Sequence, residues 1–409
     1  MDRFGGYRRV LREPVLRRVL PAALVSALGD GMALVAVAWL ALQLAPPSQR
    51  GLWTGLAVAA YALPATVGAV LLGPLVRGLG GARLVAADAT LRAVTLGAVA
   101  ALGTAGLLRP AAYVALLAVS SLLHAWGGAG AYTLVAEVLP EEDRVTGNAL
   151  LSTFALGSTV VGPALAGVLT ALTDASTVIA LDAASFAVLA AVCWPLRPGP
   201  APEGAPDTGG LRVIMGYPQL RGLLAVTCVF FFLYGPVEVA LPVHVADQLH
   251  GSARLLGTFW AVFGVGAIAG GLGAGLLRHS PLWTVVASIV VGWGLALLPA
   301  GFTDAAVPAM VGFGAGGLIY GPFTAICAAL YQRTSPAALL SRVLAASNAL
   351  TGPSAALGTL LGGPVVGLIG GRRTLLASAL LTVALGVVVA AATVRPAPPG
   401  GNGSRPDPR

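Results

Sequence analysis

Twelve long apolar stretches, separated by short polar or Pro/Gly-rich joints, constrain this chain more than any other feature. They fall at approximately 19–44, 52–76, 84–106, 110–137, 147–173, 176–195, 222–246, 255–278, 281–301, 305–332, 343–369 and 373–394. About 20 apolar residues are enough for a helix to cross the hydrocarbon core of a bilayer. Within lipid the backbone must satisfy its own hydrogen bonds, so each stretch is expected to be helical. Hydrophobic residues make up 57% of the 409 and charged residues only 10%, against about 25% charged in soluble domains. No soluble core hides that much apolar surface. The fold class is therefore an all-α polytopic membrane protein with twelve transmembrane helices.

Twelve crossings put both termini on one side, and arginine placement says which. All 24 basic residues are Arg. With the N-terminus inside, eighteen of them face the cytoplasm and five (Arg50, Arg109, Arg254, Arg372 and Arg373) face outward, while Arg92 lies within the third stretch. That bias follows the positive-inside rule, although the Arg372–Arg373 pair runs against it. The chain divides into a basic cytoplasmic segment (1–18), a six-helix bundle (19–196), a cytoplasmic Pro/Gly-rich linker (197–221), a second six-helix bundle (222–394) and a disordered cytoplasmic tail (395–409). The first segment interleaves arginines with Phe4, Tyr7, Val10, Leu11 and Val15, a partly amphipathic pattern suited to a membrane surface. The first apolar run is too long for a secretory signal and is followed by many similar ones. The expected location is the inner (cytoplasmic) membrane, multi-pass, with both termini inside.

The formal net charge of +8 does not point to nucleic acid, because the arginines punctuate hydrophobic runs instead of forming a patch. Cys193, Cys228 and Cys327 are far apart and show no metal spacing, so they read as small buried side chains. Gly264-Val-Gly266-Ala-Ile-Ala269 mimics a dinucleotide fingerprint but lies inside an apolar span with no preceding strand. No Walker motif, catalytic triad or metal cluster is apparent. No cofactor, metal or enzymatic activity is expected.

The two halves repeat. Gly157-Ser-Thr-Val-Val-Gly162-Pro163 in span five matches Gly358-Thr-Leu-Leu-Gly-Gly363-Pro364 in span eleven, and Asn148-Ala149-Leu150 matches Asn348-Ala349-Leu350. Arg77 after span two likewise matches Arg278 after span eight. A period near 200 residues equals six spans, so both halves keep the same orientation. Parallel six-helix repeats are a transporter layout.

Span one carries a single formal charge, Asp30, between Gly29 and Gly31. At 1.5 Å per residue it lies roughly 16 Å in, near mid-membrane. A carboxylate there costs about 3 kcal/mol on insertion scales. It is retained when protonated, paired or facing a wet cavity, which makes Asp30 a proton or substrate site by default. The alternative is an Asp that only hydrogen-bonds helix backbone beside its two glycines.

Several stretches together resemble the major facilitator superfamily over nearly the whole chain, and within it the twelve-helix drug/macrolide and enterobactin-exporter-like efflux branch. They are Leu28-Gly29-Asp30-Gly31 with Trp39, Asp88-Ala-Thr-Leu-Arg92, Pro140-Glu-Glu-Asp-Arg144 leading to Asn148-Ala149-Leu150, and Gly157 to Gly167 (GSTVVGPALAG). The last is similar to the antiporter motif of the superfamily's exporters, with Gly157, Gly162, Pro163 and Gly167 as its marks, a spacing one residue longer, and Ala166 in place of a glycine. Ordinary close packing of helices would also use these residues. The loop Gly73-Pro-Leu-Val-Arg77-Gly-Leu-Gly80-Gly-Ala-Arg83 resembles the superfamily's gating signature, but Arg77 stands where an Asp is usual. The basic residue many drug antiporters carry in span four is replaced by Gly127-Gly-Ala-Gly130-Ala-Tyr132.

The resemblance implies that spans 1, 4, 7 and 10 line a central cavity. On those spans the polar candidates are Asp30, His124, Tyr132, Tyr234, Glu238, His244 and Tyr320. Asp30 and Glu238 are the candidate proton-coupling carboxylates, and the other five are candidate cavity residues. Glu238 sits between Gly235-Pro236 and Pro242, where the helix is expected to kink. His124 can pair with Asp30 or be satisfied by backbone. Asp88 and Arg92 share a helix face at i, i+4 and read as a structural ion pair near the cytoplasmic end of span three. Asp182, near the outer end of span six, also reads as structural. Phe230-Phe231-Phe232 with Tyr234 fit either an aromatic substrate surface or lipid contact.

The implied function is secondary active export of an amphipathic small molecule (drug, secondary metabolite or siderophore) by a monomer, exchanged for protons by alternating access. An importer of a small metabolite, and a non-transporting membrane protein on the same scaffold, are the competing readings.

Overall fold

The computed structural model describes residues 5–76, 78–196, 209–277, 280–335 and 339–394. Among them, twelve helices are long and apolar enough to span a membrane. They are α1 (Leu16–Leu44), α2 (Arg50–Leu71), α3 (Gly81–Thr104), α4 (Pro110–Val138), α5 (Glu141–Leu172) and α6 (Ala175–Cys193) in the first half. In the second they are α7 (Pro218–Asp247), α8 (Ala253–Gly273), α9 (Leu282–Phe302), α10 (Ala306–Thr334), α11 (Leu340–Ile369) and α12 (Gly371–Val394). Helix α5 starts more than a turn before its apolar run. Its first turn is Glu141, Glu142 and Asp143, negative charge that the N-terminal end of the helix dipole favours. Both α4 and α10 are interrupted, after Ser121 and after Tyr320, at equivalent points of the two halves.

An even number of crossings returns the chain to the face it started from, here termed the terminal face; the opposite one is the distal face. The short helix Gly5–Arg12 precedes α1 on the terminal face. It docks on the first half: Val10 is fully buried with Leu16, Leu20, Val135 and Leu139, and Arg9 forks onto Asp143 at 2.9 and 2.6 Å. Its inner side is thus spent on α4 and α5, leaving Tyr7 and Leu11 exposed. Of the expected linker, a short helix Gly209–Gly216 is present. Residues 197–208, Arg77, Arg278 and the expected tail from residue 395 lie outside the described residues.

Apolar helices gain nothing by hiding from lipid tails, so close backbone approach through small residues holds them together. Both halves supply such contacts through glycines of the motif-bearing helices α5 and α11. A side chain at Gly162 on α5 would strike the backbone of Gly31 and Met32 on α1, and one at Gly31 would strike Ser158. In the second half, Gly358 and Gly362 on α11 meet Phe232 and Pro236 on α7 in the same way. The far ends of these helices then join the halves. A Cβ added at Gly167 on α5 would crowd Gly257 Cα on α8 at 3.1 Å, and Gly51 and Gly55 on α2 meet Gly367 and Gly363 on α11. Arg50, opening α2, forms an ion pair with Asp247 at the end of α7. All these inter-half contacts lie toward the distal face, which is closed.

Overpacking of this kind typically costs about 1–3 kcal/mol, and more when the obstacle is backbone. Gly162→Val is expected to lower the thermal midpoint of the purified protein by several degrees or to abolish monodisperse protein. Gly157→Ala, whose Cβ meets nothing within 4 Å, should be silent. Equal behaviour of the two variants in a size-exclusion melting assay would refute the packing role of the motif.

Candidate functional site

The strongest concentration of polar chemistry inside the bundle is where α1, α2, α3 and α6 meet. Close packing of α1 on α5 at Gly31 fixes the rotation of α1, and that aims Asp30 at its neighbours. Arg92, about half-way along α3 and 1% exposed, donates from Nη1 to Asp30 Oδ1 at 2.5 Å. The Tyr61 hydroxyl on α2 donates to the same oxygen at 2.6 Å. The guanidinium is sandwiched between two rings, 5.0 Å from the Tyr61 centroid and 4.7 Å from that of Phe186 on α6. A buried cation is tolerable here because carboxylate and ring faces replace its water.

Asp30 itself is not sealed; its side chain is 30% exposed. It borders a cavity of about 220 Å³ that runs toward the terminal face, walled by apolar residues such as Leu16, Leu20, Val135 and Phe154. Asp88 and Tyr132 also line it. Tyr132 is 46% exposed, with its hydroxyl 3.4 Å from Ser152 Oγ.

The expected Asp88–Arg92 ion pair is not formed. Arg92 is committed to Asp30, and Asp88, one turn nearer the terminal face, has Oδ2 3.8 Å from His124 Nδ1. Sequence spacing put Asp88 and Arg92 on one face, but the stronger partner for Arg92 comes from another helix. His124 accordingly lies beside Asp88, and the Asp30 carboxylate takes its hydrogen bonds from Arg92 and Tyr61. Asp182, on the distal half of α6, is 1% exposed against Gly29, where a Cβ would overlap its carboxylate. The Ser185 hydroxyl, which donates to the Asp182 backbone carbonyl at 2.7 Å, is also within reach of its carboxylate.

In the second half, Glu238 on α7 accepts from Thr359 Oγ1 on α11 at 2.9 Å, beside the Gly235–Gly358 crossing. Tyr234 and Tyr320 do converge, on a ring cluster inside this half. Tyr234 lies 5.8 Å from Trp293, and Tyr320 stacks with Phe230 at 6.3 Å and with Phe323 at 5.8 Å. Phe230 is 1% exposed, so it faces neither lipid nor an open cavity. His244 does not join either group. It is fully buried near the distal end of α7, 3.1 Å from Gln248 Oε1, with Gly371 of α12 packed against it.

Of the gating-like loop, Arg77 is outside the described residues. Gly73 lies in a short helical turn after α2, with the Trp126 ring as its neighbour. Gly80 is the extended residue that opens α3. The Gly81 amide beside it donates to Glu137 Oε1 at 2.9 Å, and the Arg83 guanidinium lies 5.2 Å over the Trp194 ring at the end of α6. The loop is thus tied to α4 and α6 of its own half. Among the described residues no group of three His, Cys, Asp or Glu side chains could hold a metal ion.

Sequence reasoning missed Tyr61, Asp182 and Phe186 as members of the Asp30 cluster. A second buried carboxylate in span six was visible as a signal, but nothing in the sequence gave the rotation of α6 against α1.

Twelve spanning helices in two similar halves, with a charged cluster at mid-depth beside an apolar cavity, define a membrane carrier. The Major Facilitator Superfamily model matches residues 19–359, and the chain belongs to that superfamily. It is 29% identical over 396 residues to the multidrug efflux pump Tap of Mycolicibacterium fortuitum, covering 92% of this chain and 95% of that one. Among solved structures it is similar to the nucleoside transporter NupG (TM-score 0.70, 14% identity, 94% of this chain and 100% of that chain). It is also similar to an inward-facing bacterial homologue of the iron transporter ferroportin (TM-score 0.68, 17% identity, 92% and 98%). These two likenesses concern the fold alone.

Removing one partner of a buried ion pair typically costs about 3–5 kcal/mol, because the other charge is left unpaired. Arg92→Met should therefore destabilise the protein strongly, and adding Asp30→Asn to it should recover much of the loss. Additive thermal destabilisation in the double variant would show that the two side chains are not coupled.

Proposed function

We propose that this protein is a secondary active exporter that moves an amphipathic small molecule out of the cell in exchange for protons. The single observation that carries the reading is Asp30: a mid-depth carboxylate, held by Arg92 and Tyr61, at the edge of an apolar cavity. Apolar walls suit the hydrophobic body of a drug, secondary metabolite or siderophore, and a carboxylate suits its polar end. The likeness to Tap, a multidrug efflux pump, supports export over import. So does the antiporter-like motif, whose Gly162 brings α5 against α1 beside Asp30.

The terminal face is the cytoplasmic one on this reading, as the arginine distribution favours, and the membrane is the inner membrane with both termini inside. The cavity then opens to the cytoplasm while the distal contacts seal the outside, an inward-open state ready to load substrate. The carrier works as a monomer, its first six-helix bundle (19–196) rocking against the second (222–394). The coupling is centred on Asp30, with Glu238 as the second carboxylate. Tyr132 lines the substrate path, and Tyr234 and Tyr320 shape the matching wall of the second half. Arg77 takes the place of the usual acidic gating residue, so the ties from Arg83 and Glu137 hold the loop instead.

Gradient-driven transport decides the matter. In liposomes carrying a pH-sensitive dye, antibiotics and lipophilic cations should provoke proton movement with wild type. Asp30→Asn should reduce it by at least about tenfold, a loss of roughly 1.4 kcal/mol or more of coupling. Undiminished transport by Asp30→Asn would remove Asp30 from the mechanism, and inward accumulation in cells would reverse the direction.

The Arg50–Asp247 pair should act as part of the outer closure. Asp247→Asn is expected to raise the outward-open fraction, read as a longer spin-label distance between the distal ends of α2 and α7. An unchanged distance distribution would show that the glycine contacts alone hold the distal face shut.

A further inference from the structure

Each half enters the membrane through the same kind of segment. Residues 5–20 (GGYRRVLREPVLRRVL) return 204 positions later as residues 209–224 (GGLRVIMGYPQLRGLL). The two copies fold alike. Each forms a short helix, Gly5–Arg12 or Gly209–Gly216, then a turn at a proline, then a spanning helix, α1 or α7. The first short helix rests on α5 and the second on α11, which are equivalent helices of the repeat. Val10 and its counterpart Ile214 are buried, as are Leu16 and Leu220 where the spanning helices begin. The outward residues correspond as well. Tyr7 and Leu11 match Leu211 and Met215, one turn apart on each short helix and exposed in both.

Two arginines keep their places in both copies: Arg8 with Arg212 on the short helix, and Arg17 with Arg221 at the start of the spanning helix. All four are exposed, and none has a side-chain hydrogen bond or ion pair among the described residues. Arg9, by contrast, is Val213 in the second copy, and it is the arginine that holds its own protein, through Asp143. Glu13 is Tyr217 in the second copy, and its carboxylate accepts from the Leu16 amide at 2.6 Å. The copies thus differ at charges spent on contacts within one half. They agree at two arginines that touch nothing.

We propose that each entry segment is a site for the headgroup of an anionic phospholipid in the terminal-face leaflet, with Arg8 and Arg17 holding the phosphate in the first half and Arg212 and Arg221 in the second. The surface is separate from the cavity beside Asp30 and serves a carrier working in either direction.

Connectivity sets the depth of these segments. Three residues part Arg12 from Leu16, and one parts Gly216 from Pro218. At about 3.5 Å per residue, neither short helix can lie more than about 14 Å from the end of its spanning helix. An amphipathic helix tethered there lies in the headgroup layer, with its exposed apolar pair toward the acyl chains. Arg8 neighbours Leu11 on the helix surface at i, i+3, and Arg212 neighbours Met215 in the same way. Arginine stems beside such an apolar pair carry the guanidinium up to the phosphate level. The planar fork of donors then matches two phosphate oxygens. A zwitterionic lipid brings its own cation beside these arginines, whereas an anionic one does not. In the first half Glu141 and Glu142 are exposed at the start of α5, but Arg8, Arg12, Arg17 and Arg18 are exposed against them. The second segment has no acidic residue.

The test is native mass spectrometry of the full chain in detergent, with phosphatidylglycerol as the probe and phosphatidylcholine of the same acyl chains as the reference. Wild type should retain two molecules of phosphatidylglycerol under activation that strips phosphatidylcholine. Arg8→Gln with Arg17→Gln should retain one, as should Arg212→Gln with Arg221→Gln, and the four changes together none. Each double change should weaken its site at least about tenfold, as the loss of two juxtamembrane arginines implies. Arg333→Gln, which alters an exposed arginine at the end of α10 outside both segments, should leave both lipids bound. The changed side chains are all exposed, so the variants should melt with wild type in phosphatidylcholine. Added phosphatidylglycerol should raise the melting midpoint of wild type and not that of the fourfold variant.

Equal retention of the two lipids by wild type, or retention of phosphatidylglycerol by the fourfold variant, would overturn the proposal. Loss of both lipids through Arg333→Gln alone would do the same, because a diffuse positive surface would then be enough. Inorganic phosphate reproducing the thermal shift would also overturn it, since the arginines would then read a free anion and not a lipid. None of these measurements involves transport, so the exporter reading stands or falls independently.

Discussion

A charge buried in a membrane protein has to be answered by another group, and here Arg92 gives the answer that organises the first half. Its guanidinium is 1% exposed, so it persists only because Asp30 shares its charge and the Tyr61 and Phe186 rings cover its faces. Those four side chains come from α1, α2, α3 and α6. Satisfying one cation therefore fixes the rotation of four helices at once. Backbone-level contacts do the rest, since Gly31 and Gly29 let α5 and α6 come close enough on either side of Asp30 for the cluster to form.

The second half is built by the same repeat but stabilised differently. Where α1 carries Asp30 against a buried arginine, α7 carries Glu238 against the Thr359 hydroxyl, and a dense aromatic cluster fills the interior around Trp293 and Phe313. One half therefore holds ionic chemistry and the other a stiff apolar body. The two halves thus share one backbone plan but not one kind of interior. The closed distal face is symmetric by contrast. Its glycine contacts pair α5 with α8 and α2 with α11, the same crossing generated twice by the 200-residue repeat.

Much of this was legible in the sequence, for definite reasons. Lipid forbids unpaired backbone, so apolar length alone fixed the twelve helices to within a few residues. The repeat of Gly162-Pro163 as Gly363-Pro364 gave the two halves their shared orientation. Asp30 stood out because its cost at mid-depth needs a compensating partner. What sequence could not supply was that partner. The i, i+4 spacing of Asp88 and Arg92 is a property of one helix, whereas Arg92 is held by contacts across three others. The surroundings of Asp182 were out of reach for a related reason: its contact with Gly29 depends on how α6 sits against α1. The family resemblance likewise put His244 on a cavity helix without showing that it is buried under Gly371 near the distal end.

The same physics separates the contacts at the terminal ends of the first half from those at mid-depth. Here the Gly81 amide is fixed by Glu137 of α4 and Arg83 by the ring of Trp194 after α6, while Arg9 clamps the N-terminal helix to Asp143 at the start of α5. These contacts lie at the membrane's edge, where water lowers the cost of a charge and any one pair contributes little. Spread over α3, α4, α5 and α6, they keep the first half rigid as a set. The strong, desolvated interaction is reserved for mid-depth, where Asp30 holds Arg92 between the rings of Tyr61 and Phe186.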